Sequence, residues 1–422
     1  MRHPRERRSP ERGPQRRGID RRDFLRGVLG AGLAVGAAPL LDACNGAATG
    51  ATGAGLQLPR PNRPVTWPLY PSNRAIPSGR PPETGATLKL YNWVAYINQA
   101  VLNAFEKKYN CKIELTTFNT MSEAIAKLQT GGLDFDVFFP TVDVLGPLVQ
   151  SKLIRPLNHS YIPNIRQAWP KFQNPFYDGS WRYTVPYTIY TTGIAWRKDK
   201  VPENPYAMAN AWAMPWQGKY RGKVAILDDY RESISLGLMK NGIFDLNTTS
   251  SSQIDLSKSS LLALEKLTNA HIDNNDYSNV PDGEIWIHHA WSGDMAAAAA
   301  YMPKGVPVEV VGYWFPTNGK GPVGNDTMVV LASGQNPVLA HLFLDYLLDL
   351  DVALENISYN GYMQPITGVT PHRLIAEKIL PPSLTSTVVL PSYFDRGLFE
   401  GELSSSVDAA WQQAWLAVSS GV

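Results

Sequence analysis

The sequence predicts an α/β fold in two domains, and three observations carry that reading. Strand-like and helix-like stretches alternate from residue 86 to the C-terminus, the chain runs to 422 residues, and 44% of them are hydrophobic. Alternation builds sheets covered by helices, while single cores stop growing near roughly 250 to 300 residues.

Taken in order, Ala86 to Asn92 reads as a strand, and Ile97, Val101, Leu102 and Phe105 then share one face of a helix from Ile97 to Tyr109. Lys112 to Phe118 alternates as a second strand. A helix over Ser122 to Gln129 is closed by Gly131-Gly132, and Phe135 to Pro140 is a short apolar strand of the buried kind. Further strands are expected at Lys223 to Leu227, Glu284 to Ala290, Val308 to Tyr313 and Thr327 to Ala332. Further helices are expected at Arg231 to Lys240, Gln253 to Ala270, Asp294 to Tyr301 and Pro337 to Leu350, the last capped by Asn336 with Pro337 in its first turn.

Two segments of another character precede this fold. Ten Arg and no Lys fall in the first 26 residues, and Arg21-Arg22 with Phe24-Leu25 leads into the uncharged stretch Gly27 to Leu41. At fifteen residues it is shorter than the about 20 that a membrane-spanning helix needs. It ends in Leu41-Asp42-Ala43-Cys44, which resembles a lipobox apart from Asp42. Residues 1–43 are therefore expected to be a Tat-type lipoprotein signal peptide, with Cys44 the lipidated N-terminus of the mature chain. That segment carries ten Arg against five acids, so its loss takes the formal charge from +2 to −3 and removes the support for nucleic-acid binding. Residues 44–85, Gly/Ala-rich and then Pro-rich, read as a tether of flexible and then extended chain. Past Cys44 only Cys111 remains, which excludes a disulfide within the mature chain and reads as a buried small apolar residue.

Aromatic and acidic residues gather where the expected strands end, the place where an open α/β sheet holds its ligand. Trp93 and Tyr96 follow the first strand, Asp228-Asp229 close the one from Lys223, and Trp291 closes the one from Glu284. Asp326 opens another, and Gly361-Tyr362 follows a helix. An alkylammonium calls for both kinds of group: carboxylates accept its hydrogen bonds, and ring faces attract the cation and hold its methylenes.

Five segments stand in a telling order and spacing: Leu90-Tyr91-Asn92-Trp93 with Tyr96, Phe135-Asp136-Val137 running into Pro140-Thr141, Val185-Pro186-Tyr187, Asp228-Asp229-Tyr230-Arg231-Glu232, and Asn360-Gly361-Tyr362. Through them the chain resembles, from Ala86 to its C-terminus, the spermidine/putrescine-binding family of bacterial periplasmic solute-binding proteins. The resemblance implies a two-lobed periplasmic-binding-protein fold of type II with the ligand cleft between the lobes. Lobe 1 would be residues 86–192 plus 325–370 and lobe 2 residues 193–324 plus 371–422. It implies an aromatic wall of Trp93, Tyr96, Trp291 and Tyr362, a hydroxyl from Thr141, and ammonium-binding carboxylates at Asp229, Glu232 and Asp326. The chain departs from the family at Ala95, where an acid is usual, at Asp143 and Gly324, where aromatics are, and at Glu400, near the place of an amide. Asp143 and Glu400 join the candidate ligand-binding residues as relocated charges, which leaves the identity of the amine open.

Plainer readings stand beside these. Trp93 also fits core packing, and Asp229 and Glu232 also fit the N-cap and first-turn acid of a helix. Trp291 to Asp294 also fits a capping turn, and Asp326 the start of a strand without ligand contact. Arg231 reads as a solvent or salt-bridge residue, and Tyr362, after a glycine, as an unburied ring best explained by function.

No P-loop, His-Glu-x-x-His or Gly-x-Ser-x-Gly motif occurs. His288-His289 are adjacent in an expected strand, so they point to opposite faces and cannot share a metal. No enzyme activity, metal site or cofactor is expected. Asp273, Asp276, Asp282 and Glu284 read as a solvated acidic loop whose spacing misses an EF-hand. The resemblance implies a monomeric, lipid-anchored receptor in the cell envelope, in the periplasm or on the outer face of the cytoplasmic membrane. It would close around a polyamine through crossover strands near Thr192 and Asn325 and hand it to an ABC permease driven by a separate ATPase. The alternatives are another small cationic amine or an amino-acid-like solute, and behind them a ferric ion. An amino acid asks for a guanidinium that none of the candidate positions offers, and ferric iron for clustered Tyr with His.

Overall fold

The computed structural model describes residues 57–131 and 134–421. The expected signal peptide, Cys44 and the Gly/Ala-rich start of the tether lie outside the described residues. Nine strands are present among them: β1 (Thr87–Trp93), β2 (Lys112–Phe118), β3 (Val137–Phe138), β4 (Thr184–Arg197), β5 (Val224–Ile226), β6 (His271–Ile272), β7 (Ile287–Trp291), β8 (Val311–Trp314) and β9 (Val323–Val330). They follow the order β2-β1-β3-β9-β4-β7-β5-β6, with β8 also paired to β4. β1 runs parallel to β2 and β3, and β5 runs parallel to β6 and β7. Between these parallel groups, β9 and β4 run antiparallel to their neighbours.

β4 belongs to both halves. Its fourteen residues reach about 46 Å at about 3.3 Å each. Thr184 to Thr191 pair with β9, Thr192 to Trp196 with β7, and Ile194 to Arg197 with β8. A crossover strand was expected near Thr192, but the sequence pattern gave no strand with bounds here. The segment is rich in Thr, Ile and Tyr, which favour strands, but both of its faces are buried, so the alternation that marks a half-exposed strand is missing. Pro186 blurs the pattern further and sits where the register against β9 slips.

Most expected elements are present with shifted ends, and the shifts have local causes. The helix expected from Ile97 begins at Gln99, because the Asn98 side chain accepts from the Ala100 amide and caps it there. The stretch Pro337 to Leu350 divides into helices Pro337–Leu347 and Leu350–Asn360, because Asp349 turns extended and caps the second. Asp294 to Tyr301 resolves into a short helix, Ser292–Ala296, and a 3-10 turn, Ala298–Tyr301. Val308 to Val310 forms a 3-10 turn ahead of β8. The helix Ser405–Ser420 had no expected counterpart; it buries only Trp411, Ala414 and Val418. Cys111 is buried, as expected. Among the described residues no helix is long and apolar enough to cross a membrane.

The Pro-rich part of the expected tether is a correction: it lies on the folded body. Trp67 is 3% exposed, and its indole N–H donates to the Tyr177 carbonyl at 2.7 Å. Proline-rich chain has few amides to offer but keeps every carbonyl. Those of Trp67, Pro68 and Ile76 accept from Arg182, Tyr183 and Asn158. Arg60 in turn donates to the Glu402 carbonyl at 2.9 Å. Trp67→Ala should therefore lower the unfolding free energy by about 3 kcal/mol, measured as a shift of the denaturant midpoint. A loss under about 0.5 kcal/mol, the range of ordinary surface changes, would show that the segment is not anchored.

Candidate ligand-binding site

Side chains alternate along a strand, so Thr188, Tyr190 and Thr192 of β4 share one face. The residues directly opposite them share it too: Asp326 and Gly324 on β9, and Trp291 on β7. Thr188 and Thr192 stand about 13 Å apart along the strand. At the Thr188 end, Tyr96 donates its hydroxyl to Asp326 Oδ2 at 2.6 Å and lies 2.6 Å from Thr188 Oγ1. Thr141 forms a backbone bridge to Asp326. At the Thr192 end, Glu232 Oε1 accepts from Thr192 Oγ1 and from the Trp291 indole, each at 2.9 Å.

Local structure aims these groups. Ala95 adopts a left-handed conformation, φ 54°, which turns the chain so that Tyr96 points inward. The Tyr96 carbonyl then accepts from the Tyr187 hydroxyl at 2.6 Å and the Asn360 amide at 2.9 Å. Gly361, at φ 74°, ends the helix Leu350–Asn360 and sets Tyr362 against Tyr96, ring centroids 4.8 Å apart and nearly perpendicular at 75°. Tyr362 also covers Gly293, where a Cβ would come within 2.3 Å of the ring. Asp229 caps the helix Tyr230–Lys240, its Oδ1 accepting from the amides of Arg231 and Glu232 at 2.9 and 3.1 Å. The cap orients Glu232 in the first turn.

Arg231 differs from the expected solvent residue. It is buried; Nη1 donates to the Gly401 carbonyl at 2.8 Å and Nη2 to the Leu246 carbonyl at 2.9 Å, with the guanidinium 4.9 Å from the Trp411 ring. Asn247 holds the same loop at the Phe399 carbonyl and the Gly401 amide. Arg231 thus fixes the loop that carries Glu400.

The carboxylates are only half satisfied. Asp326 Oδ1, Glu232 Oε2 and Glu400 Oε1 are buried with no hydrogen-bond partner among the described residues. Burial pushes Asp326 and Glu400 up to about 7 and Asp229 up to about 6. It holds Glu232 well above the usual carboxylate range, with the charges of Glu400 and Asp229 adding to the effect. Asp143 raises Asp229, Asp326 and Glu400 by its charge.

The model of the family of bacterial extracellular solute-binding proteins matches residues 100–381, more than half of the chain. The chain belongs to that family. This solute-binding protein is 27% identical over 327 residues to the spermidine/putrescine-binding periplasmic protein of Escherichia coli K12, covering 77% of this chain and 88% of the relative. It is 26% identical over 302 residues to spermidine/putrescine-binding periplasmic protein 1 of Haemophilus influenzae, covering 71% and 79%. Among solved structures it is similar to the spermidine/putrescine ABC transporter substrate-binding protein of Streptococcus pneumoniae: TM-score 0.63, 22% identity, covering 80% of this chain and 99% of that one. The fold is the expected two-lobed periplasmic-binding-protein fold.

Within the solute-binding protein the candidate residues fall unevenly about the β4 strip. Tyr96, Thr141, Asp326 and Tyr362 meet at one end, and Asp229, Glu232, Trp291 and Glu400 at the other. Trp93 stands aside: its ring packs 4.7 Å from Phe118 and its indole donates to the Phe139 carbonyl at 3.1 Å, the contacts of core packing, with part of the ring exposed. Tyr362 is 6% exposed, so the unburied ring expected there is absent; Tyr96 and Gly293 take up its surface. The acidic stretch is not a uniformly solvated loop either. Asp276 is fully buried and accepts from the Trp291 amide at 3.1 Å, and Asp273 lies 3.6 Å from His288 Nε2.

Thr188, Tyr190 and Thr192 were not among the expected site residues. Their spacing by two was visible, but a strand buried on both faces gives no sign of which face meets the site.

These acids set a pH dependence. The unfolded chain releases their protons near pH 4, whereas the folded protein holds that of Asp326 to about pH 7. Between those values the native state binds the more protons, so without ligand their contribution to stability falls as pH rises from about 4 to 7. Thermal unfolding across that window should show the fall, flattened in Asp326→Asn. Equal slopes in the two proteins would remove Asp326 from the account.

Proposed function

We propose that this protein captures a protonated polyamine of the putrescine or spermidine kind and presents it to the permease of an ABC importer. The observation that carries the reading is the set of buried carboxylate oxygens on Asp326, Glu232 and Glu400 that lack a hydrogen-bond partner among the described residues. Acceptors of that kind suit a ligand that only donates and is positive. A ligand carboxylate would meet charge of its own sign, and Arg231, the cation nearest these acids in sequence, is engaged by carbonyls. The spacing of about 13 Å between Thr188 and Thr192 suits an elongated cation over a compact one. Tyr96, Tyr362 and Trp291 supply ring surface for its methylenes. The names of the Escherichia coli and Haemophilus influenzae relatives agree with this reading.

With lobes of residues 86–192 plus 325–370 and 193–324 plus 371–422, Asp326 and Tyr96 belong to one and Glu232 and Trp291 to the other. A cation reaching both sets favours the closed form by its contacts with each. Tat-type export and lipidation at Cys44 would keep the receptor beside its permease, with the ATPase a separate chain.

Calorimetric titration of the mature protein with putrescine, spermidine, spermine, γ-aminobutyrate and basic amino acids tests the proposal, with heat expected from polyamines. Asp229→Asn keeps a good N-cap while removing the charge. It and Trp291→Ala should each weaken amine binding by roughly tenfold or more, about 1.4 kcal/mol. Heat from an amino acid or Fe³⁺ alone would overturn the reading.

A further inference from the structure

Tyr190 and Gly324 face each other across β4 and β9, and they divide one space between them. A Cβ on Gly324 would come within 2.4 Å of Tyr190 Cζ and 2.5 Å of its hydroxyl oxygen, so the tyrosine ring occupies the volume above the glycine. Its neighbours along the strand, Ile189 and Thr191, are each 1% exposed, whereas Tyr190 keeps part of its surface open. The ring stands 6.3 Å from Tyr362 at 80°, midway along the strip whose ends hold Asp326 and Glu232. Four carboxylates bear on it: beyond the effect of burial, Asp326, Glu232, Glu400 and Asp143 all hold its hydroxyl above the ordinary tyrosine range. The hydroxyl therefore stays protonated, and the ring adds a neutral π face, not another negative charge.

An aromatic platform ringed by acids is what a desolvated alkylammonium favours. Position 324 is one at which the family resemblance implies an aromatic. Directly opposed residues on paired strands hold their Cβ atoms about 5 Å apart on the same face, so a ring can be supplied from either strand to nearly the same place. From these observations we infer that Tyr190 is a specificity-determining residue of the site: the platform for one ammonium group between Asp326 and Glu232, supplied by β4 in place of the side chain that β9 lacks at Gly324. This rests on the polyamine reading. It makes Gly324 a steric partner of the site, since any larger residue there must displace the tyrosine.

The test is calorimetry of the mature protein with putrescine and spermidine, comparing Tyr190→Phe, Tyr190→Ala, Gly324→Trp and the pair Tyr190→Gly with Gly324→Trp, with folding checked by circular dichroism. Tyr190→Phe keeps the ring and should stay within about threefold of wild type. Tyr190→Ala should lose about tenfold or more, the scale of one desolvated cation–π contact. Gly324→Trp alone should lose binding by crowding Tyr190, and the double variant should regain most of it. Wild-type affinity in a folded Tyr190→Ala protein would overturn the assignment even if Gly324→Trp fails to fold. A wild-type protein that binds no amine would instead bring down the polyamine reading, and this assignment with it.

Discussion

Asp326 and Glu232 each receive hydrogen bonds on one carboxylate oxygen and, among the described residues, none on the other. Taking a carboxylate out of water costs several kcal/mol unless the lost hydration is replaced. Here the replacement is partial: a phenol serves one oxygen of Asp326, and a threonine and an indole serve one oxygen of Glu232. The remainder of the cost appears as acids that hold their protons above the usual pH and that gain most from an arriving cation. Under the polyamine reading, an arriving cation would favour the ionised form of these acids and fill the half-empty hydrogen-bond set.

β4 makes that arrangement possible. It pairs with β9 through its first half and with β7 and β8 through its second, so one backbone lines up acids that reach it from opposite sides. The surroundings hold the pieces still. Tyr187 and Asn360 pin the Tyr96 carbonyl, Asp229 caps the helix that presents Glu232, and Arg231 with Asn247 fixes the loop of Glu400. Arg60, from the Pro-rich segment ahead of β1, holds the same loop at Glu402. Rigid placement matters because a carboxylate free to turn outward would recover its water and lose its preference for a cation.

Much of this was legible in the sequence. The apolar face of Val101, Leu102 and Phe105 reported its helix, because that segment buries one side only, and the alternation of Lys112 to Phe118 reported a strand of which only Phe118 is buried. The candidate acids and rings could be named because carboxylates and ring faces are what an alkylammonium calls for, but the sequence did not separate these from structural roles such as the N-cap of Asp229 or the core packing of Trp93. What stayed hidden has a common physical cause: it depends on partners far away in the chain. β4 is buried on both faces and shows no period. Thr188, Tyr190 and Thr192 gain meaning only from Asp326, Gly324 and Trp291 across the ladder. The Pro-rich segment looked like a spacer because nothing in its composition reveals that Arg182, Tyr183 and Asn158 wait for its carbonyls. Arg231 looked exposed because its partners, two backbone carbonyls with Asn247 and Trp411, are distant in the chain and none is an acid.

If a cation completes the hydrogen-bond set of these acids, its capture must drive protons off them. Calorimetry of spermidine binding near pH 6.5, repeated in buffers of different ionisation enthalpy, counts those protons directly. With Asp326 and Glu400 held up to about 7, net release is expected, shrinking as the pH is raised well past that value. An enthalpy that does not change with the buffer, or protons taken up on binding, would contradict the account at its root.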